Sequence, residues 1–255
     1  MAERIDLIMP AYNAGRTVEA VFSRVPAAAR GRLRREVVVD DGSMDDTPAA
    51  LDRLRPAWPN LVVLRHRRNL GYGAAEKTLL RAARDGGADA VVLLHADGQY
   101  APERIPALLD ALETDRADLV QGSRLLGGGA LRGGMPLYKY VSNRALTAVE
   151  NAAFGLRLAE YHSGFLVYGR RMLNAVPFEA LSDSFAFDLE MIVMARVLGF
   201  VIREVAIPTR YADEVSHLKP VRYGLDVLRV VRGFRRGRYH RLLEREHLPA
   251  AEKPA

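Results

Sequence analysis

The chain has 255 residues, 49% hydrophobic and 27% charged, with no cysteine and a formal charge of +6. That size and balance fit one globular domain with at most an appendage. The missing cysteines exclude disulfides and thiolate metal sites and suit a reducing compartment. No apolar run approaches the ~18 residues of a membrane-spanning helix, and a strand beginning near Arg4 leaves no room for a signal peptide, so a cytoplasmic protein is expected. The charge is uneven: between Lys219 and Arg245 nine Lys/Arg stand against Asp226 and Glu244, a net +7.

In chain order, Arg4 to Met9 reads as a strand stopped by Pro10, followed by a loop through Tyr12, Asn13 and Gly15 and a helix carrying Val18, Val21, Phe22 and Val25. Glu36 to Val39 is a second strand ending in Asp40-Asp41-Gly42-Ser43, and Thr47-Pro48 is expected to cap and open the next helix. Leu61 to Leu64 is a third strand, leading through Asn69, Gly71 and Gly73 into a helix that ends near Arg84. Ala90 to Leu94 is a fourth, a short apolar run without alternation, as expected of a strand buried on both faces. It ends in His95, Asp97 and Gln99, whose imidazole, carboxylate and amide oxygen form a donor set suited to Mn²⁺ or Mg²⁺.

Asp118 to Arg124 contains a fifth strand, and the glycine-rich stretch from Leu126 to Met135 is expected to be a mobile loop over a site. A helix over Val141–Phe154, a strand over Gly164–Tyr168, a helix over Phe187–Leu198 and a last strand over Phe200–Ile207 follow. Strands alternating with helices imply an α/β fold with a mostly parallel sheet. After Pro220, apolar residues at 221, 225, 228, 231 and 234 predict an amphipathic helix with arginines on its other face. Two units are therefore expected, 1–219 and a basic helical extension with a disordered end at 220–255. In open α/β sheets ligands bind beyond the carboxyl ends of the strands, so the polar clusters after strands one, two and four would share one crevice. Gly71 and Gly73 would let helix amides approach an anion there.

This ordered series resembles the family 2, GT-A-type inverting glycosyltransferases, close to the dolichyl- and polyprenyl-phosphate mannose and glucose synthases. The residues that carry the resemblance are Ile8-Met9-Pro10-Ala11-Tyr12-Asn13, Val39-Asp40-Asp41-Gly42-Ser43, Asn69-x-Gly71-x-Gly73, His95-Ala96-Asp97-Gly98-Gln99-Tyr100, Gly122-Ser123-Arg124, Ser163-Gly164-Phe165, Phe187-Asp188-Leu189-Glu190 and Glu204-Val205-Ala206-Ile207-Pro208. The resemblance implies donor binding by Pro10, Tyr12, Asn13, Asp40, Asp41, Gly71, Gly73 and Arg210, and metal binding by Asp97, Gln99 and His95. It places Arg124, Lys139 and Asn143 on an acceptor phosphate, and Asp97, Arg124, Asp188 and Glu190 in the chemistry.

The implied reaction moves a hexose from a GDP-mannose- or UDP-glucose-type donor to a polyprenyl phosphate. An ionised phosphate acceptor needs no base; a hydroxyl acceptor of a soluble glycosyltransferase would, with Asp188 or Glu190 as candidates. Many members have an acid where this chain has His95, which leaves a silent sugar-nucleotide-binding module as an alternative. Instead of a transmembrane anchor, the basic extension is expected to make peripheral contact on the inner face of the membrane, not to bind nucleic acid. A homodimer is left open. His66, His162, His217, His240 and His247 are expected at the surface or supporting other residues.

Overall fold

The computed structural model describes residues 2–208 and 220–246. The chain runs β1 (Ile5–Ala11), α1 (Val18–Ser23), α2 (Ala27–Arg30), β2 (Leu33–Asp40), α3 (Thr47–Leu54), β3 (Leu61–Arg65), α4 (Tyr72–Asp85), β4 (Ala90–Leu93) and α5 (Ile105–Thr114). It continues with β5 (Leu119–Ser123), α6 (Gly129–Arg132), α7 (Leu137–Phe154), β6 (Leu166–Gly169), α8 (Arg170–Ala175), α9 (Phe187–Val197), β7 (Ile202–Ala206), α10 (Pro220–Arg235) and α11 (Arg238–Glu246). The seven strands form one sheet in the order β3-β2-β1-β4-β6-β5-β7, with β6 antiparallel to both neighbours. The other six strands therefore run in one direction. Their carboxyl ends, joined by the amino end of β6, line one edge of the sheet.

Alternating residues feed two cores, because successive strand side chains point to opposite faces. Val37, Val39, Val91, Leu93 and Tyr168 pack on one face with α4 and α9, while Leu7, Met9, Val38, Val92 and Val167 pack on the other with Val18, Leu51 and Leu109. Each fully buried aliphatic side chain contributes roughly 1.5–3 kcal/mol of transfer free energy. Both cores contain strand residues that the apolar runs identify.

Three local expectations change. Pro10 does not stop β1, which continues to Ala11 in register with β2. The pairing with β4 ends at Ile8 and Leu93, and the Leu94 N–H donates to the Ile8 carbonyl at 3.0 Å. Parallel-strand residues direct their backbone groups alternately to the two neighbours, so Pro10 faces the side where the ladder has already ended and needs no N–H. Thr47 lies inside α3 and makes no cap of its own; its hydroxyl instead accepts the Ala14 N–H at 2.7 Å, tying the first loop to the second. The 126–135 stretch forms a turn and the one-turn helix α6, packed through Leu125, Ala130 and Met135 into a small core of its own.

The buried face of α10 follows the expected one only in part, through Val231 and Phe234. Val227, Val230 and Val231 are buried with Tyr239 in the α4–α9 core, whereas Leu225 and Leu228 are half exposed among the arginines. The expected boundary at 219/220 borders 209–219, which lie outside the described residues. No helix among the described residues is long and apolar enough to cross a membrane.

Candidate active site

The loops after β1 and β2 are fixed by each other. Asn13 adopts a left-handed backbone (φ 50°) and its side-chain oxygen accepts the Met44 N–H at 3.0 Å, while its own N–H donates to the Ser43 hydroxyl at 2.9 Å. Asp40 accepts the Ser43 N–H at 2.9 Å. Asp41 is buried and accepts the Leu70 and Gly71 N–H groups at 2.9 and 3.0 Å, with His66 Nδ1 at 2.6 Å on the same carboxylate. His66 Nε2 contacts the Thr78 hydroxyl at 3.0 Å, so the imidazole bridges Asp41 to α4. Both donor-side aspartates thus shape the loops that enclose the crevice, and Pro10 and Tyr12 stand at its β1 side.

The two glycines at the start of α4 serve close backbone packing. The Gly73 N–H donates to the Asp183 carbonyl at 3.0 Å, and a Cβ on Gly73 would lie 2.5 Å from the Ser182 carbonyl oxygen. Lys77, one turn further on, donates to the Leu181 carbonyl and to Asp183 at 2.5 and 2.7 Å. These glycine amides are therefore engaged within the protein, on Asp41 and on the 181–183 segment.

Beyond β4, Asp97 Oδ1 accepts the Gln99 N–H at 3.0 Å, folding the turn on itself. Arg24 steadies that turn from below: it grips Glu103 through bonds of 2.9 and 3.1 Å and reaches the Gly98 carbonyl at 3.4 Å. Asp97 and Gln99 are half-buried, and Asp97 Oδ2 has no partner among the described residues.

His95 sits at the centre. Its Nε2 lies 2.8 Å from the Tyr72 hydroxyl, which donates to Asp188 Oδ2 at 2.7 Å. A hydroxyl has one proton; with that proton on the Asp188 side, Nε2 carries the hydrogen of the other contact. Nδ1 is left with its lone pair, the form a metal ligand requires. The ring also packs edge-on against Tyr100, and a Cβ on Gly164 would come within 2.5 Å of the imidazole. Only glycine two residues before β6 admits this histidine.

Beneath His95, Glu76 and Asp188 are buried against each other beside the Tyr72 hydroxyl, with no arginine or lysine on either among the described residues. Burial, reinforced by the Asp188 charge, pushes the Glu76 carboxyl well above the usual range. Burial raises Asp188 too, with His95 and the Tyr72 hydroxyl offsetting part of the effect. Ligand atoms of Glu76, His95 and Asp188 lie within 4.8 Å of one another. Asp97 and Gln99 follow His95 on the turn beyond β4. The mixed N/O set of His95, Asp97 and Gln99 fits a hard divalent cation, Asp97 supplying the charge.

The remaining site residues fall on a buried polar network. Arg124 donates to Glu160 through Nε at 2.8 Å and again through its terminal nitrogen, and to the His162 carbonyl at 2.7 Å. Asn143 donates to the same Glu160 at 3.1 Å. Burial favours the neutral form of Glu160, but the Arg124 guanidinium outweighs it and holds the carboxyl below its ordinary value. Lys139 is half-buried on the first turn of α7. Glu190 accepts from the Ser182 N–H at 2.7 Å and the Tyr239 hydroxyl at 3.0 Å, joining α9 to α11. Arg210 lies outside the described residues.

Several members of this site escape the sequence reading. Tyr72 and Glu76 lie on the stripe 72, 76, 79, 80, 83 that buries α4, so helical spacing could have found them. Glu160, in an irregular loop, has no such signal.

Against known proteins, residues 6–176 match glycosyl transferase family 2. The chain belongs to that family. It is 31% identical over 207 residues to the polyprenol monophosphomannose synthase of Mycolicibacterium smegmatis, covering 80% of this chain and 77% of that one. Identity to the undecaprenyl-phosphate mannosyltransferase of Micrococcus luteus is 31% over 211 residues, 80% and 82% of the two chains. The UDP-N-acetylglucosamine–dolichyl-phosphate N-acetylglucosaminyltransferase of Methanococcus voltae is 27% identical over 226 residues, 84% and 88% of the chains. Among solved structures, glucosyl-3-phosphoglycerate synthase from Mycobacterium tuberculosis, with Mn²⁺, UDP and phosphoglyceric acid, superposes with a TM-score of 0.65 at 20% identity, covering 90% of this chain and 77% of that one. That likeness establishes the shared fold.

Proposed function

We propose that this family 2 glycosyltransferase moves a hexose from a nucleoside-diphosphate sugar to a polyprenyl phosphate with inversion. A phosphate oxygen of the acceptor forms the new bond to the anomeric carbon as the bond to the donor diphosphate breaks, releasing the nucleoside diphosphate. The observation that carries this reading is the state of the acids at the reaction edge. Glu190 has both oxygens engaged, and Asp188 is buried and bound to Tyr72. An acceptor whose phosphomonoester loses its second proton at pH ~6 arrives ionised and needs neither as a base. The names of the relatives just described support the same acceptor class.

His95, Asp97 and Gln99 would hold Mn²⁺ or Mg²⁺, which would neutralise charge developing on the leaving diphosphate. Tyr72 keeps His95 in the tautomer that leaves Nδ1 open, and Arg24 with Glu103 fixes the turn bearing Asp97. Pro10, Tyr12 and the loops braced by Asn13, Asp40 and Asp41 would receive the nucleoside, with Arg210 beside them. Glu160 orients Arg124, and Arg124, Asn143 and Lys139 would draw the acceptor phosphate to the β5 side of the crevice. The outer face of α10, where Leu225 and Leu228 lie among Arg222, Arg229 and Arg232, would contact an anionic membrane.

The test is product formation from GDP-mannose or UDP-glucose with a short polyprenyl phosphate, the matching free alcohol and simple sugars. Transfer to the phosphate, tolerant of Asp188→Asn and weakened by Lys139→Ala, is the expected result. Transfer to hydroxyl compounds, abolished in Asp188→Asn, would replace it with a base-dependent glycosyltransferase in which Asp188 takes the proton.

A further inference from the structure

From Arg124 to Ala159 the chain carries Arg124, Arg132, Lys139, Arg144 and Arg157 but a single carboxylate, Glu150, whereas 31 acids in 255 residues would place about four in such a stretch. Glu150 is fully buried. Burial drives it up to about 8, and drives His162, 3.2 Å away, down to about 4. The surface of α7 therefore has no negative charge of its own. It has an apolar stripe instead: Tyr138, Val141, Ala145 and Val149 recur at helical spacing and are exposed, Tyr138 to 65% and Val141 to 56%.

Beside this stripe lies a cavity of about 280 Å³ between α7 and the 156–158 loop, lined on the helix by Arg144, Thr147 and Ala148, the chain neighbours of Ala145 and Val149. Arg144 and Arg157 line it, and among the described residues neither guanidinium has a carboxylate partner. The loop is pinned. Asn151 accepts the Leu158 N–H at 2.9 Å and donates to the Leu158 carbonyl at 2.8 Å, while the Tyr161 hydroxyl donates to Asn151 at 2.9 Å. The loop that carries Arg157 is thus fixed before any ligand arrives, and both arginines line one cavity next to an apolar track.

We propose that this cavity takes the phosphate headgroup of an anionic bilayer lipid, with the lipid's apolar part against Val141, Ala145 and Val149. Guanidinium pairs match phosphate oxygens in geometry and charge, and an exposed apolar stripe rimmed by cations is what an interfacial helix presents to a membrane. None of the residues lining the cavity is among those proposed to hold donor, metal or acceptor, and none belongs to α10.

The experiment is vesicle flotation of the full chain with phosphatidylcholine alone, with added phosphatidic acid, and with added phosphatidylglycerol. Arg144→Gln/Arg157→Gln is compared with the charge-matched Arg229→Gln/Arg232→Gln on α10. Because all four side chains are exposed, unchanged melting temperatures should show that both variants fold. Loss of a cation at the headgroups lowers partitioning roughly fivefold. The cavity variant should lose more than that per arginine on phosphatidic acid and less on phosphatidylglycerol, while the α10 variant loses equally on both. Wild-type partitioning by the cavity variant, or identical behaviour of the two variants, would overturn the proposal. So would a melting-temperature rise with inorganic phosphate that needs Arg144 and Arg157 but comes without preference for phosphatidic acid, since it would mark a site for free phosphate.

Discussion

Two buried acidic sites occupy opposite ends of the same sheet, and they are treated differently. At the amino end of β1, Asp6 is fully buried and accepts from Arg34 at 2.9 and 2.7 Å and from Arg35 at 3.0 Å. At the carboxyl end, Glu76 is equally buried with no arginine or lysine on it among the described residues, and Asp188 faces it beside Tyr72 and His95. The charge is balanced at one end of the sheet and left uncompensated at the other. Burying an uncompensated acid is costly, and such groups adjust by holding a proton.

The largest expected effect breaks the comparison directly. Asp6→Asn strands two arginines over the sheet end and should cost about 3–5 kcal/mol in denaturant unfolding, the range for breaking a buried pair. Glu76→Gln keeps the shape of a carboxyl whose burial favours the neutral form and should change stability by less than about 1 kcal/mol. Equal costs would mean that Glu76 is ionised in the native state, and the contrast between the two ends would fail.

Next in size is Tyr72→Phe, which removes the hydroxyl between His95 and Asp188 and frees the imidazole to change tautomer. Mn²⁺ affinity, read by electron paramagnetic resonance, should fall about 10–100-fold, as it does when a ligand's supporting hydrogen bond is lost. Affinity that does not move would detach Tyr72 from the donor set.

The smallest effect sharpens the comparison through Glu150, another buried acid without a cation. Its carboxyl stands at about 8 in the folded protein, above its unfolded value, so its stability contribution is complete at low pH and declines as pH rises toward 8. His162, depressed to about 4, acts oppositely and gains stability up to its unfolded value near 6.5. The two offset each other from pH 4.5 to 6.5. Above that only Glu150 acts, removing about 2 kcal/mol by pH 8 at 1.36 kcal/mol per unit. Melting curves should show this decline in the wild type and its absence in Glu150→Gln.

Strands β2, β4 and β6 were legible because strands buried on both faces need continuous apolar runs, whereas the edge strand β7, Ile-Arg-Glu-Val-Ala, is half-exposed and carries no such run. His95, Asp97 and Gln99 were legible because ligands gather at strand carboxyl ends. Partnership was not. Sequence shows Asp41 and Glu190 as polar residues in the right places, but the Leu70 amide on Asp41 comes from 29 residues away and the Tyr239 hydroxyl on Glu190, from α11, from 49. The same holds for Arg124, whose partner Glu160 lies 36 residues on in an irregular loop. For α10 the pattern showed amphipathicity, while the choice of buried face was made by packing: Phe234 meets Phe154 of α7 at 5.1 Å, turning Leu225 and Leu228 outward.

Calorimetric titration with GDP-mannose and UDP-glucose, in Mn²⁺ and in excess chelator, tests most directly whether the unbalanced end of the sheet is the reaction edge. Wild-type protein should bind one of the two donors in Mn²⁺ and lose it in chelator. Asp97→Asn should keep the wild-type melting temperature and lose donor binding by about 100-fold or more, beyond the loss expected for a supporting residue. Donor binding and transfer that survive intact in Asp97→Asn would contradict the account.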